Sequence, residues 1–372
     1  MKVAPASSVP PTSSTAISAT TGARLLGFAR VARRAALVLL ALVIFVLALE
    51  LLKAGAAGVR PLLRALHVEG VRGSLGFGWL MACLVLSGSP VAAVALTLLA
   101  SRTLSVEETL AMIAGSRLGA SFVVLLVGAA DDWRQGRREK RSAYLGVAAL
   151  VATASIYVPA LILSYVALGR GLFSGLRLPA RALSSLLDGT SGPLMAVARA
   201  HAPASLLFVA GVAALLASFR LFDRVLPDLQ RRDRPIRRAG QVVYRPWFMF
   251  GVGLAATALT LSVSVSLSLL VPLAARGYVR RENAWPYILG ANITTFLDTL
   301  FAGALVGHPD AVRVVALLMG AVALLSLPVV LLFPRPFERV LDRIARRATT
   351  DTRALLAFVV ALLLIPVLLM VI

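Results

Sequence analysis

From Ala35 to the C-terminus the apolar residues collect into long runs, and a helix of about 20 such residues crosses the roughly 30 Å of a bilayer's hydrocarbon. The runs predict crossing helices at 35–53, 106–130, 142–168, 203–220, 283–306, 312–333 and 353–372. Two further apolar stretches, 74–100 and 249–275, are interrupted near their middles by Ser87-Gly88-Ser89-Pro90 and Ser262-Val263-Ser264-Val265-Ser266. Small and hydroxyl residues there suit re-entrant hairpins of two half-helices, in which non-helical backbone is buried in protein or lines a cavity. Two plain crossing helices are the alternative.

Charge separates these alternatives, because cytoplasmic loops carry the excess of Lys and Arg. The basic segments are the flank before Ala35, 131–141, 220–245 with eight arginines, and 334–353 with six. All four fall on one side if neither ambiguous stretch crosses, and 220–245 and 334–353 separate if both do. The pattern therefore predicts seven crossings, a cytoplasmic N-terminus and an outside C-terminus. With 59% apolar and 15% charged residues, composition excludes a soluble core. The net charge of +21 lies in short loops that orient helices, so no nucleic-acid partner is expected. Cys83 is the one cysteine, which excludes an internal disulfide, and His67, His201 and His308 lack the spacing of a zinc site. Residues 1–23 are rich in Ser, Thr, Ala and Pro, and residues 1–34 read as a disordered basic tail. Arg33 and Arg34 before an apolar run imitate a twin-arginine signal. A retained first helix is the better reading, because that helix has a counterpart in the second half.

Adding 175 to a residue number carries the first half onto the second without a gap. Gly76, Gly78, Leu84, Ser87, Ser89, Glu107, Ile113, Gly115 and Gly128 meet Gly251, Gly253, Leu259, Ser262, Ser264, Glu282, Ile288, Gly290 and Gly303. Three crossings separate equivalent elements, so the halves run in opposite directions. The expected fold is an all-α integral membrane protein, an inverted-repeat secondary transporter with two re-entrant hairpins and discontinuous helices. Its parts are the tail 1–34, a first repeat 35–168, an interfacial connection 169–202, a second repeat 203–333, and a basic loop with a last helix over 334–372. No P-loop is present, so ATP-driven pumping is not expected, and neither an enzyme activity nor a resident cofactor is implied.

The run Leu261-Ser262-Val263-Ser264-Val265-Ser266, followed by Gly290-Ala291-Asn292-Ile293-Thr294-Thr295, resembles the paired motifs of the type II sodium/phosphate cotransporter family. The first half carries a degenerate version, Leu86-Ser87-Gly88-Ser89-Pro90 and Gly115-Ser116-Arg117-Leu118-Gly119-Ala120-Ser121. The resemblance covers about residues 35–335 and implies sodium-coupled uptake of phosphate or a related anion across the plasma membrane, with Na+ as coupling ion. It implies binding by Ser262, Ser264, Asn292, Thr294 and Thr295, joined by Ser87, Ser89, Ser116 and Ser121. Hydroxyl and amide oxygens suit a hard cation, and helix N-termini at breaks suit an anion; the same small residues also let helices pack closely in lipid. The chain departs from the family at Leu86 and Leu261, where the motif has glutamine, and at Arg117, where it has asparagine. An intramembrane arginine is a functional candidate that needs a partner, and Asp298 is expected to approach it across the two halves. Arg117 as a substitute for a sodium ion, proton coupling, another anion, and a non-transporting scaffold or sensor stay open as alternatives.

Overall fold

The computed structural model describes residues 13–134, 141–176, 195–225, 245–260, 266 and 284–372. The tips of the 131–141 and 220–245 loops, most of the 169–202 connection, Ser262 and Ser264 lie outside the described residues. Among those described the regular structure is helical: α1 Ser13–Ala65, α2 Gly70–Val85, α3 Gly88–Ala100, α4 Val106–Ala120, α5 Phe122–Arg134, α6 Arg141–Gly169, α7 Ala204–Val225, α8 Pro246–Thr260, α9 Ala284–Thr294, α10 Phe296–Val306, α11 Pro309–Leu332, α12 Pro334–Thr349 and α13 Thr352–Val371. Among the described residues seven stretches are long and apolar enough to cross a membrane: Ala32–Ala65, Val106–Arg134, Ser142–Gly169, Ala204–Arg224, Ala284–Val306, Pro309–Leu332 and Thr352–Val371. They coincide with the seven runs read from the sequence, and they fit a multi-pass membrane protein.

α1 is helical from Ser13, within the stretch read from the sequence as a tail. Its alanines, leucines and arginines are strong helix formers, and extending an existing helix costs far less than nucleating one. α1 therefore continues backward from its apolar run.

Local signals set several boundaries. Ser105 Oγ accepts from Glu108 N at 3.1 Å while Glu108 Oε2 accepts from Ser105 N at 2.7 Å, a reciprocal cap that starts α4. The other carboxylate oxygen of Glu108 accepts from Gly70 N at 2.8 Å, which ties the start of α2 to the start of α4. His308 and Pro309 open α11, and Asp351 Oδ1 accepts from Ala354 N at 2.6 Å to open α13.

Glycines decide how the helices cross. A Cβ at Gly78 would overlap the Met112 carbonyl oxygen, and one at Gly253 the Tyr287 oxygen; one at Gly115 would overlap the Leu75 oxygen, and one at Gly290 the Phe250 oxygen. Each pair of contacts is related by the offset of 175, so α2 on α4 and α8 on α9 make the same close crossing at the same register. α1 and α7, equivalent under that offset, pack side by side and antiparallel. Gly55 lies on the Phe208 backbone near one end, and Ser218 Oγ donates to Ala41 O at 2.8 Å towards the other.

The α2–α3 pair has both ends at one end of α1. Arg60 donates to Thr103 Oγ1 and to Ser101 O, each at 3.3 Å, beyond the end of α3, while Val68 N bonds Leu63 O just before α2. The turn between the two helices is sharp, with Leu86 left-handed (φ 58°, ψ 27°) and Ser87 extended (φ −158°, ψ 135°). Gly88 at that turn lies against the Ser116 carbonyl, deep in the bundle. At 16 and 13 residues, α2 and α3 reach about 24 and 20 Å at 1.5 Å per residue, short of the roughly 30 Å a crossing needs.

Candidate functional site

Two of the crossing stretches are interrupted by a single residue each, and the interruptions create the helix ends that hold the central charges. α4 gives way to α5 at Ser121 (φ −65°, ψ −17°), and α9 to α10 at Thr295 (φ −60°, ψ −20°). Arg117 sits in the last turn of α4 and Asp298 in the first turn of α10. A cation at a helix C-terminus and an anion at an N-terminus are each favoured by the aligned peptide dipoles. The backbone at both interruptions stays right-handed, so the helices are discontinuous without being unwound.

Arg117 and Asp298 meet as expected, Nη2 to Oδ1 at 3.5 Å, with side chains only 3% and 8% exposed. Arg117 Nη1 donates to Thr295 Oγ1 at 3.0 Å and to Ser89 Oγ at 3.4 Å, and Nη2 also donates to Thr299 Oγ1. Thr299 in turn donates to Asp298 Oδ1 at 2.9 Å. The guanidinium carbon stands 5.1 Å from the centre of the Phe296 ring, at cation–π range. The charge that apolar surroundings would penalise by several kcal/mol is thus compensated by a carboxylate, three hydroxyl oxygens and an aromatic face. Compensation is incomplete: Arg117 Nε and Asp298 Oδ2 are buried without a hydrogen-bond partner.

A second polar chain continues from this one. Thr153 Oγ1 on α6 receives Asn292 Nδ2 at 3.0 Å and lies 3.1 Å from Ser121 Oγ, and Tyr157 OH donates to Asn292 O at 2.8 Å. Tyr157 stacks on Phe296, so α6 links both interruptions. Under the offset of 175 Asn292 is the counterpart of Arg117, and the two equivalent positions occupy the two ends of this cluster.

Of the residues proposed from the sequence, Ser89, Arg117, Ser121, Asn292, Thr295 and Asp298 come together here. Ser87 lines an adjoining cavity. Ser116 and Thr294 do not take part: each hydroxyl bonds back to its own helix, Ser116 to Ile113 O at 2.7 Å and Thr294 to Gly290 O at 3.5 Å. Sequence reasoning missed Thr153, Tyr157, Phe296, Thr299 and Asp223. Thr299 had a signal, standing one turn beyond Thr295; Thr153 and Tyr157 had none, being ordinary constituents of an apolar span.

The adjoining cavity, about 400 Å³, lies between α1, α7, α10 and the turn before α3. Its oxygen-bearing lining is Ser87, Ser89, Thr260, Asp223 and Asp298; the rest is apolar, including Phe45, Phe219, Phe222 and Phe301. No lysine or arginine is among the described lining residues. Comparison with protein-family models, curated proteins and solved structures gives no match. The class therefore rests on the fold and the site: an all-helical, multi-pass membrane protein with a buried ion pair and polar cluster beside a cavity.

Proposed function

We propose that this chain is a secondary transporter that moves a small solute by alternating access of two inverted halves, with its N-terminus in the cytoplasm and its home in the plasma membrane. The observation that carries this reading is the convergence of the α2–α3 turn and both helix interruptions on one buried polar cluster around Arg117. Inverted halves with interrupted helices and a midplane site are the architecture of secondary transporters. The antiparallel α1–α7 pair and the glycine crossings repeated at an offset of 175 support the inversion. The shared end of α2 and α3 beside Arg60 supports re-entrance of that pair. In a Cys83→Ser background, Glu69→Cys and Arg102→Cys are expected to react with an impermeant thiol reagent from the same side of the membrane, and Arg343→Cys from the opposite side. Labelling of Glu69→Cys and Arg102→Cys from opposite sides would overturn re-entrance.

For the cargo, the motif Gly290–Thr295 favours sodium-coupled uptake of inorganic phosphate. In that reading an oxyanion takes Arg117 away from Asp298 in a bidentate contact. It predicts radiolabelled phosphate uptake into proteoliposomes driven by a sodium gradient, falling to background in Asn292→Ala and in Arg117→Gln. No phosphate flux under any gradient, from folded protein, would remove phosphate as the cargo. A second reading is favoured by the cavity lining, which has two carboxylates and no basic side chain among the described residues. In it the cargo is a cation, and the charge of Arg117 is spent inside the protein as a tethered cation.

A further inference from the structure

We infer that the cavity beside the Arg117–Asp298 pair is a binding site for a lipophilic monovalent cation, an ammonium or phosphonium carrying apolar groups. The inference rests on the transporter reading with a cationic cargo and names the class of ligand. Three features of the cavity carry it.

The first is charge. Arg117 is neutralised by Asp298, which leaves Asp223, exposed at the rim, as the full charge without an ion-pair partner among the described lining residues. The N-terminus of α3 at Ser87 opposes it with only about half a positive charge. The net charge of the described lining residues is therefore negative, which favours a monocation over a phosphate dianion.

The second is an unfilled valence. The Asp298 side chain is 8% exposed and lines the cavity, and its Oδ2 has no hydrogen-bond partner although Oδ1 serves both Arg117 and Thr299. Buried carboxylate oxygens are ordinarily satisfied, and one left open costs on the order of 1–3 kcal/mol or more. A cation in the cavity would supply the missing partner once the carboxylate turns Oδ2, which has almost no accessible surface of its own, toward the space.

The third is the wall. Phe45, Phe219, Phe222 and Phe301 give the cavity an aromatic lining, and aromatic faces attract cations electrostatically while covering their apolar substituents. A volume near 400 Å³ is within the roughly 300–1,000 Å³ range of small-ligand sites. Val38 and Phe301, 40% and 42% exposed, keep part of the rim apolar and accessible, which suits a cation that carries apolar groups.

The test is equilibrium binding of radiolabelled tetraphenylphosphonium to the purified full chain in nanodiscs, beside tetraphenylborate, its anionic counterpart in size and shape, and inorganic phosphate. The expected result is saturable binding of the phosphonium at one site per chain, no saturable binding of the borate, and affinity lower by roughly tenfold or more in Asp298→Asn and in Asp223→Asn. Asp223→Glu is expected to restore most of it. Asp223 is exposed and outside the ion pair, so its variants keep the test alive if Asp298→Asn does not fold. Equal binding of phosphonium and borate, an affinity indifferent to Asp223→Asn, or saturable phosphate binding in place of phosphonium would each overturn the site. Flux is read separately in proteoliposomes. Phosphonium binding without flux would support the site and overturn the transporter reading; flux of another solute without phosphonium binding would do the reverse.

Discussion

Asp298→Asn is expected to lower the stability of the purified protein by about 3–5 kcal/mol, the usual cost of leaving one member of a buried ion pair without its partner. Arg117 is 3% exposed on its side chain, and Asp298 is the acidic group paired with it. The hydroxyls of Ser89, Thr295 and Thr299 orient the guanidinium but carry no compensating charge. Arg117→Met should be damaging in the same way, because it strands the carboxylate. The double variant Arg117→Met with Asp298→Leu is expected to recover most of the loss, since exchanging both charges for apolar groups of similar volume is often neutral or stabilising. Of the hydroxyls released by the exchange, those of Thr295 and Thr299 can bond back to carbonyls one turn earlier, as Ser116 already does, and that of Ser89 borders the cavity. Thermal unfolding of the detergent-solubilised protein reads all three. Single variants as stable as the wild type would mean that the pair is not held in the interior, and the site described around it would be wrong.

Gly115→Ala and Gly290→Ala are expected to destabilise by at least the 1–3 kcal/mol typical of overpacking, and by similar amounts. In both the new methyl meets a backbone carbonyl oxygen, Leu75 in one half and Phe250 in the other, and backbone yields only if the whole helix moves. Gly251→Ala and Gly320→Ala are the contrast. Nothing lies within 4 Å of the added Cβ at either position, and a helical alanine in place of glycine gains up to about 1 kcal/mol. Comparison of the four thermal midpoints tests the repeat as well as the packing. Tolerance at Gly115 with collapse at Gly290 would show that the two crossings are not equivalent.

The glycine pairs also mark how much of the fold could be read in advance. Gly78 with Gly253 and Gly115 with Gly290 were visible as matches at an offset of 175. What they pack against was not, because Met112, Leu75, Tyr287 and Phe250 contribute backbone carbonyls there, and a carbonyl has no identity in a sequence. The ion pair was legible for a different reason. Two charges inside apolar spans are costly enough that each implies a partner, and Arg117 and Asp298 were the available pair.

Ser116, Ser121 and Thr294 show where residue type stops being informative. All three were candidates for the same chemical reason, yet only Ser121 reaches the central cluster, where it meets Thr153. A hydroxyl on a helix chooses between its own carbonyl and a neighbour, and that choice depends on which face the neighbour presents.

The sequence by itself determined the number of apolar spans, the offset of 175 between matching residues, the gathering of arginine into four short segments and the need of Arg117 for an anion. These follow from run length, repetition and the cost of charge in hydrocarbon, all of them properties of residues in order. Only the tertiary structure decided that Ser121 and Thr295 keep right-handed backbone at the interruptions, that Thr153, Tyr157 and Thr299 complete the cluster, and that Asp223 shares a cavity with Asp298. Those facts depend on how helices distant in the chain are rotated against one another, and in an all-apolar span no periodic pattern records that rotation.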